Sequence, residues 1–93
     1  MDRELRKELQ KIAYTLGSDI SPNIVKNGRN FAIVEGNDYS EIIISHTLEG
    51  HKTREAAQAV YRLLQKFDYF PSVPEFEENG MVLNVTIRYK KGN

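Results

Sequence analysis

His46 and His51, the two histidines of the chain, have the type and spacing that come nearest to a chemical site. Together with Glu49 they could bind a zinc or nickel ion, or His51 could act as a general base. A catalytic zinc site needs three oriented protein ligands, however, and this spacing matches no established metal-binding pattern. We therefore expect polar residues at a turn between a strand and a helix, with no metal ion and no cofactor.

The sequence also has no recognisable pattern for catalysis by a serine nucleophile or by paired carboxylates. No serine lies in a Gly-x-Ser-x-Gly elbow, and no Ser–His–acid order stands out. Glu75, Glu77 and Glu78 could act as paired carboxylates, but their neighbours in the sequence do not provide the apolar surroundings of a catalytic acid. We expect instead a solvated strand edge that discourages pairing between molecules, in a protein that is not an enzyme.

The segment from Gly50 to Ala59 combines basic residues with an alanine-rich helical pattern. It resembles the start of the second helix in double-stranded RNA-binding domains, and the preceding α-β-β-β order is similar over about residues 2–67. The resemblance implies that Lys52 and Arg54 contact backbone phosphates. Helix N-termini also favour phosphate because of the helix dipole.

A second basic surface is predicted on the first helix, where Arg3, Lys7 and Lys11 share one side. Such a stripe could follow a phosphate backbone or an acidic partner surface. The alternative is a solvated helix face on which Glu4 and Glu8 pair with the lysines.

Tyrosines are the candidates for a protein interface, because their rings combine a large contact area with a polar group. The candidates are Tyr14, Tyr39, Tyr69 and Tyr89. The alternative is that most of these rings complete a thin hydrophobic core.

Composition limits the class of protein. The 93 residues include 13 basic and 13 acidic side chains, so no strong overall field exists to attract nucleic acid or an anionic membrane. No cysteine is present, which excludes disulfides and thiolate sites. The charged N-terminal segment is no signal peptide, and aliphatic runs such as Ile42-Ile43-Ile44 are far too short to span a membrane. We predict one cytoplasmic domain over residues 1–93.

Hydrophobic periodicity predicts two helices. The first covers residues 2–16 and ends at Gly17. The second begins at Thr53 as its N-cap and runs to about Phe67, with Leu63 in the core. The predicted buried stripes are Leu5, Leu9, Ile12, Ala13 and Leu16 on the first helix, and Ala56, Val60, Leu63, Leu64 and Phe67 on the second.

Strands are predicted at residues 20–26, 31–34, 39–47, 73–78 and 81–90. The run Ile42-Ile43-Ile44 indicates a central strand covered on both faces. In the last strand the alternate positions Met81, Leu83, Val85, Ile87 and Tyr89 are predicted to face the core. The strands are connected by turns at Asn27-Gly28, Gly36-Asn37-Asp38 and Asn79-Gly80, the last with positive φ at both residues. The order α-β-β-β-α-β-β predicts a two-layer α+β fold, in which two helices lie on one face of an about five-stranded, mainly antiparallel sheet.

By exclusion, the sequence favours a small non-enzymatic binding protein that acts through a protein–protein surface, with a partner that the sequence does not identify. Cysteine-free single domains of this size are typical of accessory, adaptor and inhibitor proteins, including those of phages and mobile elements. A homodimer is one form that such a surface could take. The alternative is a nucleic-acid-binding module that uses Lys52, Arg54 and the first helix.

Overall fold

A computed structural model describes residues 1–47 and 50–92 and contains, within them, two helices and six strands. Both helices pack on one face of a single sheet, which confirms the predicted α+β architecture. The elements are α1 (Arg3–Thr15), β1 (Ile20–Ser21), β2 (Asn30–Val34), β3 (Ser40–His46), α2 (Gly50–Lys66), β4 (Tyr69–Pro71), β5 (Glu75–Asn79) and β6 (Val82–Lys91).

Capping residues determine where α1 begins and ends. Oδ1 of Asp2 accepts the first-turn N–H groups, including that of Glu4 at 2.8 Å. At the other end Gly17 has a φ of +69°, and the N–H of Ser18 donates to the carbonyl of Ala13 at 3.0 Å. This is the Schellman arrangement that glycine favours, so the predicted stop at Gly17 is confirmed.

The sheet has the order β1-β2-β3-β6-β4, and β5 also pairs with β6. β4 lies beside residues 89–91 and β5 beside residues 82–86, so these two strands follow one another along the same side of β6. We call residues 69–79 the outer edge. β3 is central, and Ile42, Ile43 and Ile44 are all buried, as the run of three isoleucines predicts.

The core lies between the sheet and the helices. Leu5 and Leu9 from α1 and Val60 and Leu64 from α2 are fully buried. They pack on the alternate strand residues that face the helices: Phe31, Ile33, Ile42, Ile44, Leu83, Val85, Ile87 and Tyr89.

The first predicted strand is mostly wrong. β1 contains only Ile20 and Ser21 and pairs parallel with β2, so Asn27-Gly28 is not a hairpin turn. Pro22 has no N–H for a ladder, and residues 22–29, which we call the strap, cross the sheet face opposite the helices. The backbone amides of Asn27 and Gly28 there donate to side chains of β6 and β3 rather than to a neighbouring strand.

The last hairpin is shifted by one residue from its predicted position. Asn79 pairs with Val82, so the two turn residues are Gly80 and Met81. Gly80 has a φ of +63°, whereas Asn79 is not among the described residues with positive φ. A type II′ turn requires positive φ only at its first turn residue, which is the pattern at Gly80 and Met81. The predicted inward positions Leu83, Val85, Ile87 and Tyr89 are buried, but Met81, predicted on the same face, is a turn residue and 85% exposed.

Thr53 is not the N-cap of α2. The helix begins at Gly50, so Thr53 lies inside it with a fully buried side chain. Within the described part of the chain, its Oγ1 has no hydrogen-bond partner. A buried hydroxyl in this state lowers stability because its hydration is lost without replacement.

Thr53→Val should therefore leave the free energy of unfolding unchanged or raise it by about 1 kcal/mol, because the unpaired hydroxyl is replaced by a methyl group. The loss of an N-cap would lower it by about 0.5–2 kcal/mol instead. Chemical denaturation distinguishes the two signs. Thr15→Val is the matched control, since Oγ1 of Thr15 donates to the carbonyl of Ile12 at 2.6 Å and its removal should be mildly destabilising.

Among the described residues, neither helix has the length and apolar character needed to span a membrane.

Candidate functional site

The two histidines lie in different environments in the structure. His46 is buried, and its Nε2 donates to the carbonyl of Leu16 at 2.9 Å, which ties the end of β3 to the end of α1. His51 is exposed in the first turn of α2, and Glu49 lies outside the described residues. No group of three or more potential metal ligands is found in residues 1–47 and 50–92.

The basic residues do not form one surface. Lys52 lines a groove between α1 and α2, whereas Arg54 extends towards β5, because residues two apart on a helix point in different directions. The Arg54 guanidinium lies 2.9 Å from Oε1 of Glu78 and 4.9 Å from the centre of the Phe76 ring. The resemblance to double-stranded RNA-binding domains implied phosphate contacts by both Lys52 and Arg54, and these two side chains have different neighbours.

On α1, carboxylates accompany the lysines. Lys11 lies 3.1 Å from Glu8, and Lys7 lies 3.8 Å from Glu4. Arg3 is exposed at the start of the same helix. These exposed pairs are weak, but they reduce the positive potential that a phosphate backbone would meet.

The groove between α1 and α2 has a volume of about 650 Å³ and brings together Lys11 and Lys52. Glu8 and Glu55 line the same groove, so its charges are mixed. Leu63 lies in its floor and is only half-buried, which corrects the expectation that this residue belongs to the core. Leu64, one position further along the helix, is fully buried instead.

Two of the four candidate interface tyrosines are core residues. Tyr69 and Tyr89 are 9% and 4% exposed, and their rings meet edge to face with centres 5.5 Å apart. They face the helices because their positions on β4 and β6 continue the inward alternation. Tyr14 and Tyr39 remain on the surface at 63% and 47% exposure, but they lie on α1 and beside the β2–β3 turn, and no described contact joins them.

A cleft of about 540 Å³ lies near these buried rings, between the chain start and the β2–β3 turn. The amine of Met1 lies 3.1 Å from Oε2 of Glu35 at this cleft. Burial raises the pKa of Tyr89 to about 12, and the nearby Ser40 hydroxyl offsets this only in part. The Tyr89 hydroxyl forms no hydrogen bond of ordinary geometry within the described chain. The phenol is therefore protonated at neutral pH and is not a base there.

The outer edge is the most distinctive surface of the molecule. All five residues of β5 are exposed, and β5 pairs only with β6 among the described strands. The two-residue turn closes on the Asn79–Val82 pair, so alternation along an antiparallel ladder directs the peptide groups of Phe76 and Glu78 away from β6. An added strand would meet these unpaired groups first.

Exposed apolar side chains accompany these peptide groups. Phe70, Val73 and Phe76 are 68%, 75% and 44% exposed, and all three lie within the outer edge. Exposed apolar residues on a small protein often indicate a site of interaction. Phe70 lies opposite Lys90 and Phe76 opposite Val85, so the two rings are on opposite faces of the sheet. The sequence did not identify these residues as exposed. A signal was present, because Pro71 and Pro74 lie in the same segment and proline is tolerated at the edge of a sheet.

The outer edge is acidic. Glu75, Glu77 and Glu78 follow one another on β5, and Arg88 lies 3.8 Å from Glu75. Among the described ion pairs none involves Glu77. This confirms that the three glutamates lie on an exposed strand, and their catalytic interpretation has no support from the geometry.

The chain matches no family model, no curated protein sequence and no solved structure.

Proposed function

We propose that this chain is a non-enzymatic protein-binding module that accepts an extended segment of a partner protein along β5. The proposal depends on the exposure of the whole of β5, together with the outward peptide groups of Phe76 and Glu78. Strand addition uses such groups for affinity and uses alternate side chains for specificity.

The position of the prolines limits the length of the docking site. Pro71 and Pro74 offer no N–H, so the part of the outer edge before β5 cannot donate at these positions. Glu75–Asn79 is the longest uninterrupted stretch of the outer edge. A partner would form its main-chain hydrogen bonds there, and its apolar side chains would contact Phe76.

The charge of β5 selects the chemistry of the partner. Glu75 and Glu77 share one face of the strand, and Phe76 occupies the other. A strand in which lysine alternates with an aliphatic residue would place ammonium groups beside the two glutamates and apolar groups beside Phe76. A second copy of β5 would instead set glutamates against glutamates, which is destabilising. We therefore propose a basic segment of another protein rather than a homodimer along this edge.

A peptide of alternating lysine and valine is the direct probe, and a glutamate–valine peptide is its charge-reversed control. We expect the lysine peptide to bind with an affinity that falls as salt is added. On binding, the amide protons of Phe76 and Glu78 should shift most in NMR spectra, because they become hydrogen-bonded.

Two substitutions at one position separate the peptide group from the side chain. Glu78→Pro removes the outward N–H without removing a bond to β6, whereas Glu78→Ala removes only the carboxylate. We expect the proline variant to lose roughly tenfold or more in affinity, and the alanine variant to lose less. Equal affinity of wild type and Glu78→Pro, or equal binding of both peptides, would refute strand addition at β5.

A nucleic-acid-binding module remains the second hypothesis, and the observation that favours it is the meeting of Lys11 and Lys52 at the groove between α1 and α2. The mixed charge of that groove makes it the weaker candidate. Titration with double-stranded RNA, with Lys11→Ala and Lys52→Ala as test variants, addresses it independently. Salt-dependent binding that both variants weaken would favour this hypothesis over docking at β5.

A further inference from the structure

Three asparagines link the strap to the last hairpin. The side-chain N–H groups of Asn79 and Asn84 both donate to Oδ1 of Asn27, at 2.9 and 3.1 Å. In return, the backbone N–H of Asn27 donates to Oδ1 of Asn84 at 3.2 Å. Two members of this cluster, Asn27 and Asn79, are each followed by glycine.

An asparagine followed by glycine can rearrange without an enzyme. The backbone nitrogen of the glycine attacks the side-chain amide carbon, a new C–N bond closes a succinimide, and ammonia leaves with the amide nitrogen. Water then opens the ring at one of its two carbonyls and yields aspartate or isoaspartate. The reaction consumes only water and involves no oxidation, and it requires an attacking N–H that can lose its proton.

The two Asn-Gly pairs differ in the state of this N–H group. The N–H of Gly28 donates to Oγ of Ser45 at 3.1 Å, and that hydroxyl donates back to the Gly28 carbonyl at 3.2 Å. Ser45 is fully buried, so attack by Gly28 requires the strap to open. The N–H of Gly80 has no hydrogen bond within the described residues, and no heavy atom lies within 4 Å of the position that a Cβ would take there.

We infer that Asn79 is a site of spontaneous deamidation and that the fold protects Asn27 from the same reaction. The product changes the cluster, because a carboxylate at position 79 cannot donate to Oδ1 of Asn27. Isoaspartate would in addition insert a methylene group into the backbone next to the turn. Deamidation at this one position therefore weakens the attachment of the strap to the sheet.

Incubation of the intact protein in mildly alkaline buffer, followed by cleavage after lysine and mass spectrometry, tests this inference. Lys26, Lys52, Lys66 and Lys90 place the two asparagines in different peptides. In heavy-oxygen water each conversion is labelled. We expect Asn79 to convert roughly tenfold or more faster than Asn27. This is the difference in rate expected when hydrogen bonds of ordinary net strength at Gly28 must break before the attack.

The same chain in denaturant is the matched control, because unfolding releases both glycine N–H groups and should make the two rates similar. Ser45→Ala provides a second control, since it frees the Gly28 N–H and should accelerate conversion at Asn27. A folded protein in which Asn27 converts as fast as Asn79, or in which Asn79 is as slow as Asn27, would overturn the inference. Faster hydrogen exchange of the strap amides after conversion should accompany the product, and unchanged exchange would contradict the proposed loosening.

Discussion

Leu64→Ala should lower the free energy of unfolding by about 2–5 kcal/mol, because it removes a fully buried side chain and leaves a cavity beside the sheet. Leu64 lies on the side of α2 that packs in the core with Val60 and Ala57. Against the total stability of about 5–15 kcal/mol that is typical of domains, this loss is large. The denaturant midpoint should fall clearly, with the slope of the transition unchanged.

Leu63→Ala is the matched control, with the same chemical change one position away on the same helix. Leu63 is half-buried at the groove between α1 and α2, where water can occupy the vacated space. Its replacement should therefore lower stability by less than half as much as Leu64→Ala. Equal losses for the two variants would show that the phase of α2 differs from the one described.

The second large effect is expected at Asn84, which is 3% exposed on the sheet face opposite the helices. Asn84→Val should lower the free energy of unfolding by about 1–3 kcal/mol, because the backbone N–H of Asn27 loses its acceptor. Valine favours strands, so any loss is not a consequence of strand propensity. Hydrogen exchange at the strap amides should accelerate together with the loss of stability.

Thr86→Val controls for position, since Thr86 lies on the same face of the same strand, is half-buried and has a hydroxyl with no described hydrogen bond. Its effect should remain within about 0.5 kcal/mol. If both variants were equally stable, the asparagine cluster would contribute nothing to the attachment of the strap, and the description of residues 22–29 would have to be revised.

Local signals account for the parts of the fold that were predicted correctly. Leu5, Leu9 and Ala13 recur at the helical period, and Gly17 follows them as a stop, so α1 is specified within its own residues. The alternation from Leu83 to Tyr89 similarly identifies the buried face of β6. Hairpin β2–β3 follows from its turn residues and the hydrophobic segments on either side.

Errors occurred where a local signal competes with a distant partner. Asn27-Gly28 has the composition of a hairpin turn, but Asn84 and Ser45, which lie far away in the chain, bind its amides and hold it in the strap. Thr53 has the composition of an N-cap, yet the helix starts earlier and packing buries the threonine. For the candidate site, the sequence identified the acidic residues of β5 but not the neighbouring apolar ones, because exposure cannot be read from residue type alone.

The sequence by itself determined the α+β class, the positions of the two helices and the central position of the triple isoleucine, since these depend on periodicity and turn residues within short segments. It did not predict β4, and it placed Leu63 in the core, because both depend on distant partners. Only the tertiary structure decided which tyrosines are buried, that Lys52 and Arg54 point to different neighbours, and that Phe70, Val73 and Phe76 are exposed near the acidic residues of β5. These features arise from contacts between residues far apart in the chain, and the free energy of such contacts depends on what packs beside each residue.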